Sequence, residues 1–203
     1  MTAPSSLTLQ LLDETHLDDL TQLANDPQVS ATSSVPHPCT SDEVREWIAD
    51  NGAMLPPKLT YAILSEGRVA GAASLKHINY EERHAELSYW VGRPHWGLGI
   101  AGRAAHLLRD LALQSGQYDY LIARCLKINN PYSQRIILRL GFERDMAKAD
   151  REVMGRWGEA FPGDAWQHYH LTRAHWLTLQ AAARSEVASA ATSVTVPHPE
   201  AAG

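Results

Sequence analysis

The spacing of hydrophobic positions changes along this chain, and each change marks an element. LTLQLL (7–12) reads as a short first strand. In HLDDLTQLAND the period lengthens to that of a helix, with Leu17, Leu20, Leu23 and Ala24 on one face and Asp13 or Thr15 to cap it. Asn25-Asp26-Pro27 stops that helix. Residues 34–52 predict a proline-containing loop and then a second helix, capped by Thr40 or Ser41, with Glu43 or Val44 in its first turn and Asn51-Gly52 at its end. LTYAILSEGRVAGAASL (59–75) predicts a hairpin, two apolar runs about Ser65-Glu66-Gly67.

The second half keeps the same logic. Over 83–91, Ala85, Leu87, Tyr89 and Val91 alternate on one strand face, and Glu86, Ser88 and Trp90 occupy the other. From Gly97 the period returns to helix, with Ile100, Ala104, Leu107, Leu108 and Leu111 as its apolar stripe and Gly116 as its stop. YDYLIARCL (118–126) is a strand, and PYSQRIILRLG (131–141) is a short helix that Asn129 or Asn130 can cap. Phe142 starts a further strand, and WQHYHLTR (166–173) is the last. From about Gln180 the Ala/Ser/Thr/Pro-rich sequence has no large apolar face and predicts a disordered tail, so residues 1–179 form one domain and 180–203 its tail. The order β-α-α-β-β-β-α-β-α-β-β predicts an α/β (α+β) fold. Its sheet is mixed and mostly antiparallel, flanked by helices, with hairpins first and a β-α-β crossover later.

Composition narrows the function classes. With 203 residues and 44% hydrophobic content the chain can bury a core of its own. A formal net charge of −5, with both signs interspersed, argues against a nucleic-acid surface and mildly favours a cationic substrate. Two distant cysteines, Cys39 and Cys125, predict reduced thiols and a cytoplasmic protein. No apolar run has the length of a membrane span, and MTAPSSLTLQLLDE lacks the features of a signal peptide.

The most informative stretch is Glu86 to Ala101, ELSYWVGRPHWGLGIA, a strand that runs into a glycine-rich turn opening a helix. Such a turn presents unpaired backbone N–H groups at the positive end of a helix dipole, which is a site for phosphate or pyrophosphate. A P-loop needs Lys and Ser/Thr after its last glycine, where this chain has Ile100 and Ala101. Gly97, Gly99 and Gly102 spell G-x-G-x-x-G, but a dinucleotide fold places that motif after its first strand, and here three or four antiparallel strands precede it.

WGLGIA after a strand, followed some thirty residues later by NNPYSQRIILRLGF, resembles the GNAT acetyltransferase family. Within it, ELSYWVGRPHWGLGIAGRA and NPYSQRIILRLGF are similar to the RimJ/RimL-like branch, which acetylates N-termini of ribosomal proteins, and the similarity spans roughly residues 7 to 175. The resemblance implies a GNAT fold and acetyl-CoA as co-substrate. It implies that two neighbouring strands splay and admit the pantetheine arm, which bonds to backbone at Tyr89, Trp90 and Val91. The pyrophosphate then sits on Trp96, Gly97, Leu98, Gly99, Ile100 and Ala101, and Asn130 contacts the arm. Many members carry Gln or Arg three residues before the first glycine, and here that position is Pro94.

Acetyl transfer needs a neutral amine, a base to remove its proton, and a donor for the leaving thiolate. Glu86 is the candidate base, set against a carboxylate merely paired with Arg or Tyr. Ser133, which matches a serine common in the branch, is the candidate contact to the sulfur or the cofactor backbone, set against a first-turn serine bonding local backbone. The family's frequent Tyr acid falls on Ile137, and a Glu base found in some members falls on Cys125. Cys125 reads as an inert buried thiol rather than a nucleophile. His168 and His170 share a strand face, but no third ligand has convincing spacing, so no metal is expected. Trp47, Trp90, Trp96, Trp157, Trp166 and Tyr80 divide between an acceptor groove and packing.

The reading is an N-acetyltransferase that moves acetyl from acetyl-CoA to a primary amine, a protein N-terminus or a small molecule, by direct attack in a ternary complex. The alternative is a non-catalytic acyl-CoA-binding module. A homodimer is expected by analogy with the branch.

Overall fold

The computed structural model describes residues 6–51, 58–126, 130–144 and 166–192, with side chains as far as 187. Its strands are β1 (Leu7–Leu11), β2 (Leu59–Ser65), β3 (Arg68–Asn79), β4 (His84–Val91), β5 (Tyr120–Leu126), β6 (Glu143–Arg144) and β7 (Trp166–Thr172). They form one sheet in the order β1-β2-β3-β4-β5-β7-β6. Every neighbour pair is antiparallel except β4 and β5, which are parallel. The β2–β3 turn works because Glu66 and Gly67 both take positive φ, 50° and 73°, matching the twist of the flanking strands.

The helices are α1 (Leu17–Ala24), α2 (Pro27–Thr32), α3 (Ser41–Ala49), α4 (Ile100–Gln114), α5 (Pro131–Arg139) and α6 (Arg173–Thr192). Asp13 caps a single 3-10 turn that runs into α1, and Thr40 with Glu43 forms a capping box at the start of α3. The structure differs from expectation at three places. Pro27 does not only stop α1; with Asp26 as cap it is the first residue of α2. Within α4 the buried stripe runs through Ile100, Ala104, Ala105, Leu108, Ala112 and Leu113, whereas Leu107 and Leu111 are 41% and 49% exposed. Alanines, not those two leucines, let α4 lie close on the sheet. Finally, α6 carries the chain as a helix through Gln180 to Thr192, inside the stretch expected to be disordered. Its alanines favour helix even without a strong apolar face. The start of α6 is also tied down: Trp176 is buried and donates its indole N–H to Asp110 at 2.9 Å, and Arg173 donates to the Leu113 carbonyl at 3.1 Å.

Two hydrophobic clusters sandwich the sheet. One joins Ala85, Leu87, Val91, Leu121, Ala123 and Cys125 to α4 and to Ile137 of α5. The other joins Ala62 and Ala72 to Leu20 of α1 and Val44 of α3, with Trp47 and Trp90 packed edge to face, centroids 6.3 Å apart. The alternation expected for β4 is observed, since Tyr89 packs against the first cluster and Trp90 against the second. Gly52, Asn129, Trp157 and the tail beyond 192 lie outside the described residues.

Candidate active site

The parallel ladder between β4 and β5 has three rungs: His84 with Tyr120, Ala85 with Leu121, and Glu86 with Ile122. Beyond them the strands part into a fork, and β5 goes on to pair with β7 along its whole length. The parity of the β3–β4 ladder fixes which backbone groups face this fork. Gly92 donates to the Ala70 carbonyl at 2.9 Å, so even-numbered residues of β4 turn their N–H and C=O toward β3, and Leu87, Tyr89 and Val91 turn theirs toward the gap. An extended amide chain could pair with that edge as a short strand would. Of the three residues expected to bond such a chain, Tyr89 and Val91 face the fork and Trp90 faces β3. The Val91 carbonyl also accepts the Trp96 indole N–H at 2.7 Å, which fastens the glycine turn to the end of β4.

The turn itself lies between a 3-10 segment, Arg93–His95, and α4. Gly97 and Gly99 sit at φ 76° and 74°, a region that side-chain-bearing residues rarely adopt, and a Cβ on either would meet nothing within 4 Å. The space before the turn is therefore open. Gly99 is the N-cap of α4 and no side chain caps the helix. The first intrahelical bond there runs from Arg103 N–H to the Gly99 carbonyl, so the N–H groups of Gly99, Ile100, Ala101 and Gly102 remain at the helix start. This suits a pyrophosphate. Gly102 lacks the close-packing role of a third dinucleotide-motif glycine, because a Cβ there would lie at an ordinary 3.8 Å from Ile136.

The fork has two unlike faces. On the face covered by α4 and α5, Tyr89 of β4, Cys125 of β5 and Ser133 of α5 meet. The Tyr89 hydroxyl lies 3.0 Å from Ser133 Oγ, and Cys125 Sγ lies 3.3 Å from the same oxygen. Burial pushes the Tyr89 phenol well above its ordinary range and the Cys125 thiol up to about 11. A thiol so placed stays protonated, as an inert buried cysteine should. Asn130 caps α5 by accepting from Ser133 N–H at 2.9 Å, while its amide nitrogen donates to the Thr32 carbonyl of α2 at 2.8 Å. Ile137 is a core side chain, 1% exposed.

The opposite face is charged. Glu86, 4% exposed, accepts two bonds from Arg124: Nε to Oε2 at 2.9 Å and Nη2 to Oε1 at 3.1 Å. Arg124 lies beyond the last rung on β5 and reaches back to β4, so this bidentate pair bridges the fork at its apex. Its guanidinium also lies 5.6 Å from the centroid of the Trp166 ring. Lys76 stands opposite Glu86 in the β3–β4 register, and desolvation lowers its ammonium to about 8, partly offset by Glu86. The ladder is irregular between Lys76 and Asn79, and His77 there takes φ 47°. Its Nε2 is 3.9 Å from Glu86, and burial holds its pKa below the usual imidazole value.

Glu86 therefore has the arginine partner weighed as its non-catalytic role. Arg124 and the hydroxyl of Tyr89 were not picked out by sequence reasoning, although Tyr89 was singled out for its backbone. The chain spacing of 38 residues between Glu86 and Arg124 gives no local signal. Among the described residues no group of three metal-ligating side chains occurs, and no helix is long and apolar enough to cross a membrane.

Comparison with known proteins agrees with this geometry. The model of the acetyltransferase (GNAT) domain matches residues 6–143. The ribosomal-protein-serine acetyltransferase of Escherichia coli (strain K12) is 28% identical over 142 residues, covering 68% of this chain and 79% of the relative. Among solved structures, spermidine N-acetyltransferase from Vibrio cholerae, bound to CoA and spermine, superposes with a TM-score of 0.68 at 18% identity, covering 85% of this chain and 99% of the other. An acetyltransferase from Salmonella typhimurium that modifies the N-terminal serine of ribosomal protein L7/L12 gives a TM-score of 0.66 at 20% identity, covering 83% and 95%.

Proposed function

The chain belongs to the GNAT acetyltransferase family, and from that premise we propose that it moves an acetyl group from acetyl-CoA to the primary amine of a protein N-terminus, by direct attack within a ternary complex. The observation that carries the reading is the β4–β5 fork with an uncapped glycine turn at its mouth. The free edge of β4 suits an extended pantetheine arm, and the N–H groups of Gly99 to Gly102 suit its pyrophosphate. When bound, acetyl-CoA supplies the activated thioester carbonyl.

The residues of this chain divide the remaining work. Attack requires a neutral nitrogen. Glu86, fixed by Arg124 on the charged face of the fork, accepts a hydrogen bond from the amine and orients it. His77, its imidazole pKa lowered by desolvation and its Nε2 3.9 Å from that carboxylate, is the base beside it. Ser133 on the other face donates to the departing sulfur.

The charge of this face favours an N-terminal α-amine over a polyamine. Arg124 neutralises Glu86, and Lys76 adds a further cation, so a polycation would meet repulsion there. The E. coli relative is named for acting on ribosomal-protein serine, which supports the same choice.

The test has two stages. Calorimetric titration with acetyl-CoA should show selective micromolar binding, with NADH and ATP as silent controls. Free-thiol release should then appear with a short peptide bearing an N-terminal serine and exceed that with spermidine. Glu86→Gln should lower turnover on the peptide while leaving acetyl-CoA affinity intact. Absence of acetyl-CoA binding by folded protein would overturn the reading; preference for spermidine would overturn the acceptor class alone.

A further inference from the structure

We propose that Tyr89 and Cys125 are positioning residues that aim the Ser133 hydroxyl proton into the fork, where the leaving sulfur must sit. The inference rests on the transferase reading above and adds to it the device that makes a serine a directed donor.

A serine hydroxyl has one proton and two acceptor lone pairs, and its O–H rotates to suit its surroundings. Left alone, Ser133 in the first turn of α5 would turn that proton toward any local carbonyl. Here two groups from two other elements approach the same oxygen: the Tyr89 phenol from β4 at 3.0 Å and the Cys125 thiol from β5 at 3.3 Å. The phenol is half-buried and the thiol buried, and desolvation raises both, so each keeps a proton to give. The phenol also lies 3.5 Å from the Ser133 carbonyl, a longer contact than the 3.0 Å to Oγ, so Oγ is its nearer acceptor. With both donating, the two lone pairs of Ser133 Oγ are occupied and its own proton has to point elsewhere. The backbone N–H of Ser133 is already fixed on Asn130, which holds the Oγ in place. The direction left open is the gap between β4 and β5, from whose two edges Tyr89 and Cys125 rise. Donors feeding into Ser133 Oγ also polarise its O–H and strengthen the bond it gives.

The step balances simply. The nitrogen lone pair forms the new C–N bond, and the C–S bond breaks with its electron pair going to sulfur. The Ser133 O–H stabilises that charge until the proton shed by the nitrogen neutralises it. Tyr89 and Cys125 exchange no proton. The arrangement also explains how the site works with Ile137 at the position where related enzymes often carry a tyrosine acid: a phenol is present, but it comes from β4 and acts through Ser133.

The experiment is a double-mutant cycle on the full chain with an independent spectroscopic reading. Tyr89→Phe removes one hydroxyl and keeps the ring. It should lower kcat about tenfold, the scale of one hydrogen bond, with KM for acetyl-CoA changed less than about twofold. Ser133→Ala should lower kcat more, and Tyr89→Phe added to Ser133→Ala should cost nothing further. Without any substrate, the infrared S–H stretching band of Cys125, assigned by its loss in Cys125→Ala, should shift in Ser133→Ala and shift less in Tyr89→Phe. Independent, additive losses in kcat, or an S–H band unmoved by Ser133→Ala, would overturn the positioning role. If instead the wild-type protein binds acetyl-CoA but releases no thiol with any amine, it is the transferase reading that fails, and the S–H band still reports on the hydrogen bonds.

Discussion

Two helices of this molecule start beside the same fork and are finished in opposite ways. The N-terminus of α5 is closed by its own sequence: Asn130 accepts from Ser133 N–H, and Pro131 at the first position has no N–H to satisfy. Asp26 and Thr40 close α2 and α3 in the same manner. The N-terminus of α4 has no side-chain cap, and its capping residue is a glycine at φ 74°. A glycine at the N-cap costs roughly a few tenths of a kcal/mol relative to a good side-chain cap. On the proposed reading the donors of α4 are kept for a ligand, whereas those of α5 are taken up by the fold.

Four expected outcomes would break or sharpen that contrast. The largest concerns Gly99→Asp, which puts a side chain at positive φ and a negative charge where a pyrophosphate should sit. Acetyl-CoA affinity should fall about 100-fold or more by calorimetry, with the protein still folded; retained affinity would break the assignment of α4 as the anion site.

The second concerns pH, and belongs to the floor between the two helix starts. The Cys125 thiol moves from an ordinary value near 9 to about 11 in the folded chain. Above pH 9 the unfolded chain releases this proton while the folded chain keeps it, so stability falls as pH rises, through about pH 11. The loss reaches about 3 kcal/mol by denaturant titration. Cys39, which burial raises to about 12, adds its own loss over the same range, so Cys125→Ala should make this limb shallower without abolishing it, and an unchanged limb would place the alkaline loss elsewhere.

Third, Asn130→Ala should destabilise the protein by about 1.5 kcal/mol, combining a lost cap and the lost tether to the Thr32 carbonyl of α2. Acetyl-CoA affinity should drop less than about tenfold. A larger drop would show that Asn130 serves the ligand as well, and the contrast between the two starts would narrow. The smallest effect is ionic: raising salt from 0.1 M to 0.5 M should weaken acetyl-CoA binding by a few-fold, because α4 meets the anion at a solvent-open turn, and leave the thermal penalty of Asn130→Ala unchanged.

Much of the architecture is legible in local pattern. The β4 alternation, the hairpin about Glu66-Gly67, the turn at Gly97 to Gly99 and the Asn130 cap all rest on residues close in sequence, where period and backbone preference act directly. What was hidden follows from other causes. The α2 helix was masked by Pro27, which ends one helix and begins the next. The inner stripe of α4 is written in alanine, so Leu107 and Leu111 looked like core and proved exposed. The helical run of α6 past Gln180 looked disordered because composition alone does not register the anchoring of Trp176 to Asp110. At the candidate site, the turn at Gly97 and Gly99 could be read from sequence because a positive φ is written in glycine itself. The Glu86–Arg124 bridge and the Tyr89–Ser133–Cys125 cluster could not, since each is assembled across strands and helices by the fold.

The fork has a consequence for how the chain folds. Strands β1 to β4 are joined by long antiparallel ladders, and β5, β7 and β6 by another set, while the two plates are joined directly by three rungs, the Glu86–Arg124 and Arg83–Asp119 ion pairs and the Tyr120–His84 contact, with α4 packed across both. Native-state amide exchange should therefore resolve two blocks of protection, with the rungs at 84–86 and 120–122 opening before either block. The plate carrying β5 would come into register late, after the α4 crossover has brought it back alongside β4, because closing that loop precedes any reward from so short a ladder. The gap proposed to admit a ligand is, for the unliganded chain, a seam along which the molecule can come apart.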